Sequence, residues 1–130
     1  MTWSFSNDLP IYTQLVGQIK TAIATGVFPP GERLPSVRDL ATEAGVNPNT
    51  MQRALSQLES EGLVYSQRTA GRFVTEDQEK IAGAKRELAQ QHIAQFIRAM
   101  DGLRFSREEM TVLLSEALGK ETTTNECPDL

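Results

Sequence analysis

The chain has 130 residues, of which 39% are hydrophobic and 23% charged, and its formal net charge is −4. This length suits one domain of ordinary size with an extension. No run approaches the roughly 18 apolar residues that a membrane span requires, and the N-terminus lacks the pattern of a secretory signal. We therefore expect a cytoplasmic protein with no membrane partner. The single Cys127 excludes an internal disulfide.

Acidic charge is concentrated in the C-terminal part of the chain. Residues 10–75 contain six basic and five acidic side chains, whereas residues 76–130 contain seven basic and eleven acidic ones. Overall acidity disfavours a polyanionic partner, but the N-terminal part is close to neutral and compatible with one. Charge alone neither supports nor excludes binding to nucleic acid.

A first helix is predicted over residues 10–25. The apolar residues that recur on one helical face are Ile11, Leu15, Ile19, Ala22 and Ile23. Pro10 suits the start of this helix and Gly26 its end. The stretch that follows contains Pro30-Gly31, which suits the centre of a type II turn and excludes a helix there.

Two further helices make a helix-turn-helix. Ser36 and Asp39 approximate a capping box at the start of the second helix, which Gly45 ends. Asn47 is a preferred N-cap, and Pro48 then occupies the first helical position of the third helix. The buried face of the third helix is predicted to consist of Met51, Ala54, Leu55 and Leu58. The two helices are separated by only a few residues, as the motif requires.

A β-hairpin is predicted after Gly62, where the apolar period changes to two. Its tip lies near residues 69–71, and we expect Leu63 and Phe73 to return to the core. Helix, helix-turn-helix and hairpin occur in the order of a winged helix. The predicted fold is mostly α with a small β-hairpin: an N-terminal winged helix-turn-helix (1–75) followed by two C-terminal α-helices.

The C-terminal part is predicted to be a helical dimerisation region over residues 76–119. A long helix is expected over 76–101, and a second starts at the capping box of Ser106 and Glu109 and ends at Gly119. Their apolar stripes are core or dimer seam: Ala89, Ile93, Phe96, Ile97, Met100, Met110, Leu113, Leu114, Ala117 and Leu118. Residues 120–130 are expected to form a disordered tail.

The exposed face of the third helix is the candidate DNA-reading surface. Asn49 and Gln52 are candidate base readers, because their amides can pair bidentately with adenine. Contacts to the DNA backbone are expected from Arg38, Asn47, Thr50 and Arg53. The wing residues are expected to reach phosphate or the adjoining minor groove: Arg68, Thr69, Gly71 and Arg72. So few basic residues imply that tight binding needs two copies of the chain on one site.

Other interpretations of the same residues remain open. Asn47-Pro48 can cap any helix, and arginines flank many hairpins. The chain could instead be a winged-helix protein-interaction module without specific DNA binding. An enzyme is least expected, because we find neither a nucleophile paired with a base nor a phosphate-binding glycine loop. No cofactor or metal is expected, since His92 has no second ligand at a suitable spacing.

Residues 5–75 closely resemble the winged-helix domain of the GntR family of bacterial transcription regulators, and the whole chain is most similar to the YtrA subfamily. The resemblance depends on PGERLPSVRDLA, GVNPNT and EGLVYS, which occur in this order and spacing. It implies a dimeric cytosolic repressor, often of a transporter operon, in which Arg38, Asn49, Thr50, Gln52 and the wing tip meet a double-stranded operator.

The chain departs from the family pattern at two places, the wing and the turn before the recognition helix. Relatives often carry Gly-x-Gly-Thr-Phe-Val and an Arg before the recognition helix, whereas this chain has Thr69-Ala70-Gly71-Arg72-Phe73-Val74 and Asn47-Pro48-Asn49. Larger relatives also carry an effector-binding or aminotransferase-like domain, which does not fit within residues 76–130. A small-molecule effector would have to bind a small site.

Overall fold

The computed structural model describes residues 1–124, with side-chain surroundings through residue 120. It contains five α-helices and one antiparallel hairpin. The chain divides into two compact units, Met1–Ala89 and a second that begins at Gln90. Within the described residues, no helix is both long and apolar enough to cross a membrane.

The first three helices begin and end close to the predicted residues. They are α1 (Ile11–Ala24), α2 (Val37–Ala44) and α3 (Pro48–Ser60). Ser36 Oγ accepts a hydrogen bond from the Asp39 amide at 3.1 Å, which is one half of the predicted capping box. Gly45 ends α2 in the left-handed conformation (φ +74°), and its amide donates to the Ala41 carbonyl at 2.9 Å. The helix-turn-helix prediction is confirmed.

The predicted hairpin is formed by β1 (Val64–Gln67) and β2 (Gly71–Val74), and Val64 pairs with Val74. The segment before α2 also pairs with β2, and this pairing was not predicted from the sequence. Arg33 forms a bridge with Phe73, and the Leu34 amide donates to the Arg72 carbonyl at 2.8 Å. The wing is therefore anchored on both sides of β2.

One hydrophobic core lies between the three helices and the base of the wing. Its largest fully buried side chains are Leu15, Ile19, Ile23, Leu40, Met51, Leu55, Leu58, Val64 and Val74. Leu63 is buried as predicted, but the prediction for Phe73 was wrong: its ring is half-buried and stacks on Tyr65, with 5.7 Å between centroids. Since neighbouring strand residues point to opposite faces, Val74 enters the core and Phe73 does not.

The long helix α4 (Gln78–Gly102) begins on the first unit and buries Ile81 and Ala84 in its core. Neither residue was predicted to be buried, because the apolar stripe was drawn only from Ala89 onward. Ile81 and Ala84 stand three residues apart, the spacing at which side chains share one helical face. Sequence reasoning thus missed the part of α4 that belongs to the winged domain.

The last helix, α5 (Arg107–Thr124), starts at the predicted capping box. The Glu109 amide donates to Ser106 Oγ at 3.1 Å, and the Ser106 amide donates to Glu109 Oε1 at 2.8 Å. The prediction that Gly119 ends this helix was wrong, because the helix continues through it to Thr124. A single glycine costs a helix only about 1 kcal/mol. Residues 125–130 of the predicted tail lie outside the described residues.

The N-terminal residues lie against α1 in an unpredicted arrangement. The side-chain amide of Gln18 accepts a hydrogen bond from the Ser4 backbone N–H at 3.1 Å through Oε1. Its Nε2 donates to the Ser4 carbonyl at 2.6 Å. Gln14 makes the same pair of bonds with Ser6, at 2.8 and 2.9 Å. Trp3 and Phe5 stack on each other and pack against the core. These rings alternate with the serines, which is the period-two signal that sequence reasoning overlooked.

Candidate nucleic-acid interface

Helix α3 has one buried face and one exposed face. Met51 and Leu55 are buried in the core, whereas Asn49 and Gln52 are exposed and Thr50 is half-buried. The α3 side chains predicted to read bases therefore stand on the solvent side of the helix. An exposed polar helix face of this size is what the major groove of DNA admits.

Asn47 caps the N-terminus of α3. Its side-chain Oδ1 accepts a hydrogen bond from the Asn49 amide at 2.7 Å, and Pro48 occupies the first helical position, where no amide is needed. The carbonyl of Asn47 accepts bonds from the amides of Thr50 and Met51. The side-chain NH₂ of Asn47 remains to donate to a ligand, so its cap role and a DNA contact are compatible.

Gln52 and the wing are linked through Arg72. The side-chain Nε2 of Gln52 donates to Ser56 Oγ at 3.4 Å, and its Oε1 lies 3.5 Å from Arg72 Nη1. Arg72 Nε forms an ion pair with Glu59 Oε1 at 3.3 Å. The half-buried Arg72 is thus turned toward α3 rather than toward the wing tip.

The two remaining helical arginines differ in their surroundings. Arg38 is exposed in the first turn of α2, next to the Ser36 cap. Arg53 is also exposed but lies over the ring of Tyr12, 4.4 Å from its centroid. Arg38 can therefore move to meet a phosphate, whereas Arg53 is held by an aromatic ring on α1.

The tip of the wing has an unusual backbone. Thr69 adopts a left-handed conformation with φ +65°, and Gly71 has φ +105°. The Ala70 amide donates to the Gln67 carbonyl at 3.0 Å and closes the turn. Arg68 and Thr69 are exposed at this tip. The sequence placed the tip correctly, although a β-branched Thr is an uncommon residue at positive φ.

A buried lysine of α1, which sequence reasoning missed, lies against the end of α3. Lys20 is only 6% exposed, and its Nζ lies 2.9 Å from Glu61 Oε1 and 3.3 Å from Glu87 Oε1. Burial by itself lowers the pKa of Lys20, but hydrogen bonds and charge from the two glutamates outweigh burial and raise the pKa above 10.5. This ion-pair cluster joins α1, the end of α3 and the first half of α4.

The predicted dimerisation residues are mostly accessible within this chain. Ile93 is 56% exposed, and Phe96, Ile97 and Met100 are half-buried. Among the α5 residues up to 120, only Met110 is buried, whereas exposure is 40% for Leu113, 44% for Leu114 and 59% for Leu118. Ala89 and Ala117 are also exposed. Helices with this much open apolar surface are usually covered by another surface.

Metal chemistry has no visible basis in the described residues. No group of three or more His, Cys, Asp or Glu side chains among them could hold a metal ion. His92 is exposed on α4.

Comparison with known proteins places this geometry in a family. The model of bacterial regulatory proteins of the gntR family matches residues 11–74. The HTH-type transcriptional regulator YhcF of Bacillus subtilis is 37% identical over 106 residues, which are 82% of this chain and 88% of that protein. The chain belongs to the GntR family. The matched region runs from the start of α1 to the end of β2 and contains every candidate DNA-contacting residue.

Within the GntR family the chain falls in the YtrA subfamily. The HTH-type transcriptional repressor YtrA of Bacillus subtilis is 41% identical over 71 residues, which are 55% of each protein. The chain thus matches about half the length of that relative. A GntR family transcriptional regulator from Listeria monocytogenes has the same fold, with a TM-score of 0.77 at 38% identity over 86% of this chain and 98% of that one.

A further comparison concerns DNA directly. The DNA-binding domain of AraR, solved in complex with operator ORX1, matches 58% of this GntR chain and 96% of that domain, with a TM-score of 0.53 and 30% identity. This GntR protein is accordingly a DNA-binding transcriptional regulator, and the relatives named here are regulators rather than enzymes.

Proposed function

We propose that this protein is a sequence-specific repressor that binds a near-palindromic operator as a homodimer in the cytoplasm. The observation that carries the proposal is the outer face of α3. Asn49 and Gln52 are exposed on it, while Met51 and Leu55 anchor the opposite face in the core. A helix fixed in this way can place its first turns against base edges.

The contacts divide by chemistry between bases and phosphates. Asn49 and Gln52 carry amides that pair with adenine in the major groove, so they are assigned to base recognition. Phosphate contacts are assigned to Arg38, Asn47, Thr50, Arg53, Arg68, Thr69 and Gly71. Arg72 was also predicted to contact DNA, but its side chain pairs with Glu59 at 3.3 Å. Backbone contacts of this kind set orientation and affinity but carry no sequence information directly.

The dimer is supported by the exposed apolar residues of α4 and α5. A twofold pair would present two copies of α3 to successive major grooves, ~34 Å apart, which is why the operator should be near-palindromic. Leu113 and Leu114 are 40% and 44% exposed. We expect the double change Leu113→Glu and Leu114→Glu to produce monomers in analytical ultracentrifugation, whereas the exposed control Ser115→Glu stays dimeric.

Repression is supported by the name of one relative, the repressor YtrA, which is 41% identical over 55% of this chain. A bound dimer can block transcription simply by occupying the operator. We also assign a transporter operon as the target class, because the sequence resembles the YtrA subfamily.

One experiment tests the whole proposal: selection of bound sequences from a pool of random duplexes. A repressor of this kind should enrich inverted repeats with about 10 base pairs between half-site centres, or a multiple of that spacing. Enrichment of single, unpaired half-sites would contradict the dimer. A protein-interaction module would enrich no sequence at all, and a gel shift at moderate salt would then show no retarded band.

An effector remains a prediction from the sequence. A surface cavity of about 440 Å³ in the first unit is lined by Glu61, Leu63, Lys80, Gly83, Ala84 and Glu87. Its two carboxylates already pair with Lys20, so we assign it no ligand.

A further inference from the structure

The wing carries less available positive charge than its sequence suggests. Arg72 lies 3.3 Å from Glu59 and beside Gln52, so its charge is compensated on the side of the sheet that faces α3. Arg68 remains exposed at the tip. If only these two arginines mattered, the wing would offer a single uncompensated cation to DNA.

Arg33 lies on the other face of the same sheet. Its backbone pairs with Phe73, and directly opposed residues of antiparallel strands point to the same side. Gly71 and Phe73 are two positions apart and share this side, whereas Arg72 points to the opposite one. Arg33 therefore emerges beside the wing, although it comes from the segment before α2.

The side chain of Arg33 runs along the wing toward its tip. Arg33 Nε lies 3.0 Å, and Nη2 3.6 Å, from the point where a Cβ on Gly71 would stand. The close approach is possible because residue 71 is a glycine. Arg33 is exposed and, among the ion pairs formed by residues 1–120, has no carboxylate partner.

We propose that Arg33 is the second phosphate-binding cation at the wing, beside Arg68, and that Arg72 positions Gln52 and does not supply free charge. This inference depends on the proposed DNA binding and adds a residue to it. A guanidinium free of acidic partners and laid against the tip can reach a phosphate next to the one that Arg68 meets. The ligand is the phosphate backbone, so the contact should not discriminate between sequences.

The test is the salt dependence of binding, measured by fluorescence anisotropy with a selected operator and with a random duplex. Each lost phosphate contact reduces the slope of log K against log salt by about 0.9. Arg33→Gln should reduce the slope by about 1.8 per dimer and weaken both duplexes roughly tenfold. Arg33→Lys, which keeps the charge, should keep the wild-type slope.

Two controls separate charge at the wing from charge in general. Arg86→Gln removes an exposed arginine from α4 and should leave the slope unchanged. The double variant Arg72→Gln with Glu59→Gln removes the ion pair without changing net charge, so it should keep the slope but reduce the preference for the selected operator. Far-ultraviolet circular dichroism establishes that each variant is folded.

The results can distinguish a failure of the Arg33 proposal from a failure of the proposed DNA binding. If the wild-type protein binds its operator and folded Arg33→Gln has the wild-type slope, Arg33 does not meet phosphate and only this inference is lost. If the Arg72/Glu59 double variant loses slope instead, the two arginines have the opposite roles. Wild-type protein that binds no duplex would overturn both the repressor and the Arg33 contact.

Discussion

Arg53 of α3 lies over the ring of Tyr12 of α1, with 4.4 Å between the guanidinium carbon and the ring centroid. The Tyr12 hydroxyl is also 3.5 Å from Gln57 Oε1, one turn further along α3. Tyr12 thus supports the exposed edge of the helix that we assign to DNA. An arginine held against a ring loses less freedom on binding a phosphate than one that moves in solvent.

Tyr12→Leu should therefore affect both stability and DNA affinity. Loss of the cation–π contact costs about 0.5–1 kcal/mol at an exposed site, and an unrestrained Arg53 should weaken operator binding a few-fold. Tyr12→Phe keeps the ring and should bind like the wild type. Thermal unfolding and gel shift measure the two effects. Equal binding by the Leu and Phe variants would show that the ring does not orient Arg53.

Gln52→Ala should change which sequences are bound. A good amide–adenine pair discriminates against other bases by about 1–3 kcal/mol, so we expect one position in each half-site to become degenerate in a repeated selection. Binding to random duplex should hardly change. If the variant lost the same factor on operator and random DNA, Gln52 would be a general contact and not a base reader.

Arg38→Ala should have the opposite signature. Its exposed guanidinium at the first turn of α2 is assigned to phosphate, so its loss should weaken all sequences alike and flatten the salt dependence by about 0.9 for each lost contact. Titrations over a range of salt concentrations measure the slope. A changed sequence preference with an unchanged slope would argue against a phosphate contact.

The Lys20 cluster predicts how stability depends on pH. The raised pKa of Lys20 means that its contribution is complete below pH 10.5 and is lost as the pH rises through the folded-state value. Burial raises the pKa of Glu61, but the hydrogen bond from Gln57 and the pair with Lys20 outweigh burial and lower it below 4.5. The Glu61 contribution is therefore complete above pH 4.5 and is lost as the pH falls through the lowered value.

Lys20→Met should thus destabilise the protein most between pH 4.5 and pH 10.5, where both ion-pair partners are charged. Because Glu61 and Glu87 are partly exposed, the expected cost is about 2 kcal/mol, less than that of breaking a fully buried pair. Urea unfolding at a series of pH values measures the difference from the wild type. The exposed control Lys85→Met should have almost no effect. A cost that stays constant through both limits would exclude the ion pairs as its cause.

Thr69→Gly should stabilise the wing. The left-handed backbone at φ +65° costs a β-branched residue about 1–2 kcal/mol, whereas glycine adopts it freely but loses more entropy on folding. The expected net gain is about 0.5 kcal/mol, measured by thermal unfolding. Ala70→Gly, at a neighbouring residue with negative φ, should be neutral or destabilising. A loss of stability in Thr69→Gly would mean that the threonine makes contacts that offset its strain.

The local signals predicted most of the winged domain. Ser36, Asn47 and Gly45 act through bonds to their immediate neighbours, so the ends of α2 and α3 could be placed from sequence alone. The stripe of α1 was also confirmed, except that Ile11 at its start is 38% exposed. Short-range rules suffice where the stabilising group lies within one turn.

What escaped prediction depends on contacts between distant segments. The strand-like pairing of Arg33 with Phe73 joins residues 40 positions apart, and the Lys20–Glu87 ion pair joins residues 67 apart. Arg72 was predicted at the wing surface, yet its side chain pairs with α3, because alternation along β2 directs it there. No local pattern reveals which buried lysine or exposed arginine has found a partner.

The residues before α1 show how a helix can hold an extended chain without a sheet. Gln14 and Gln18 are four residues apart and bind the main chain of Ser6 and Ser4, and Gln14 also donates to the Leu9 carbonyl at 2.7 Å. Identity at Ser4 is consequently almost free, since any residue other than proline offers the same amide and carbonyl, whereas Ser6 also accepts a bond from the Asp8 amide through its Oγ at 3.4 Å. Selection on this segment should instead fall on the two glutamines, whose side chains imitate a neighbouring strand.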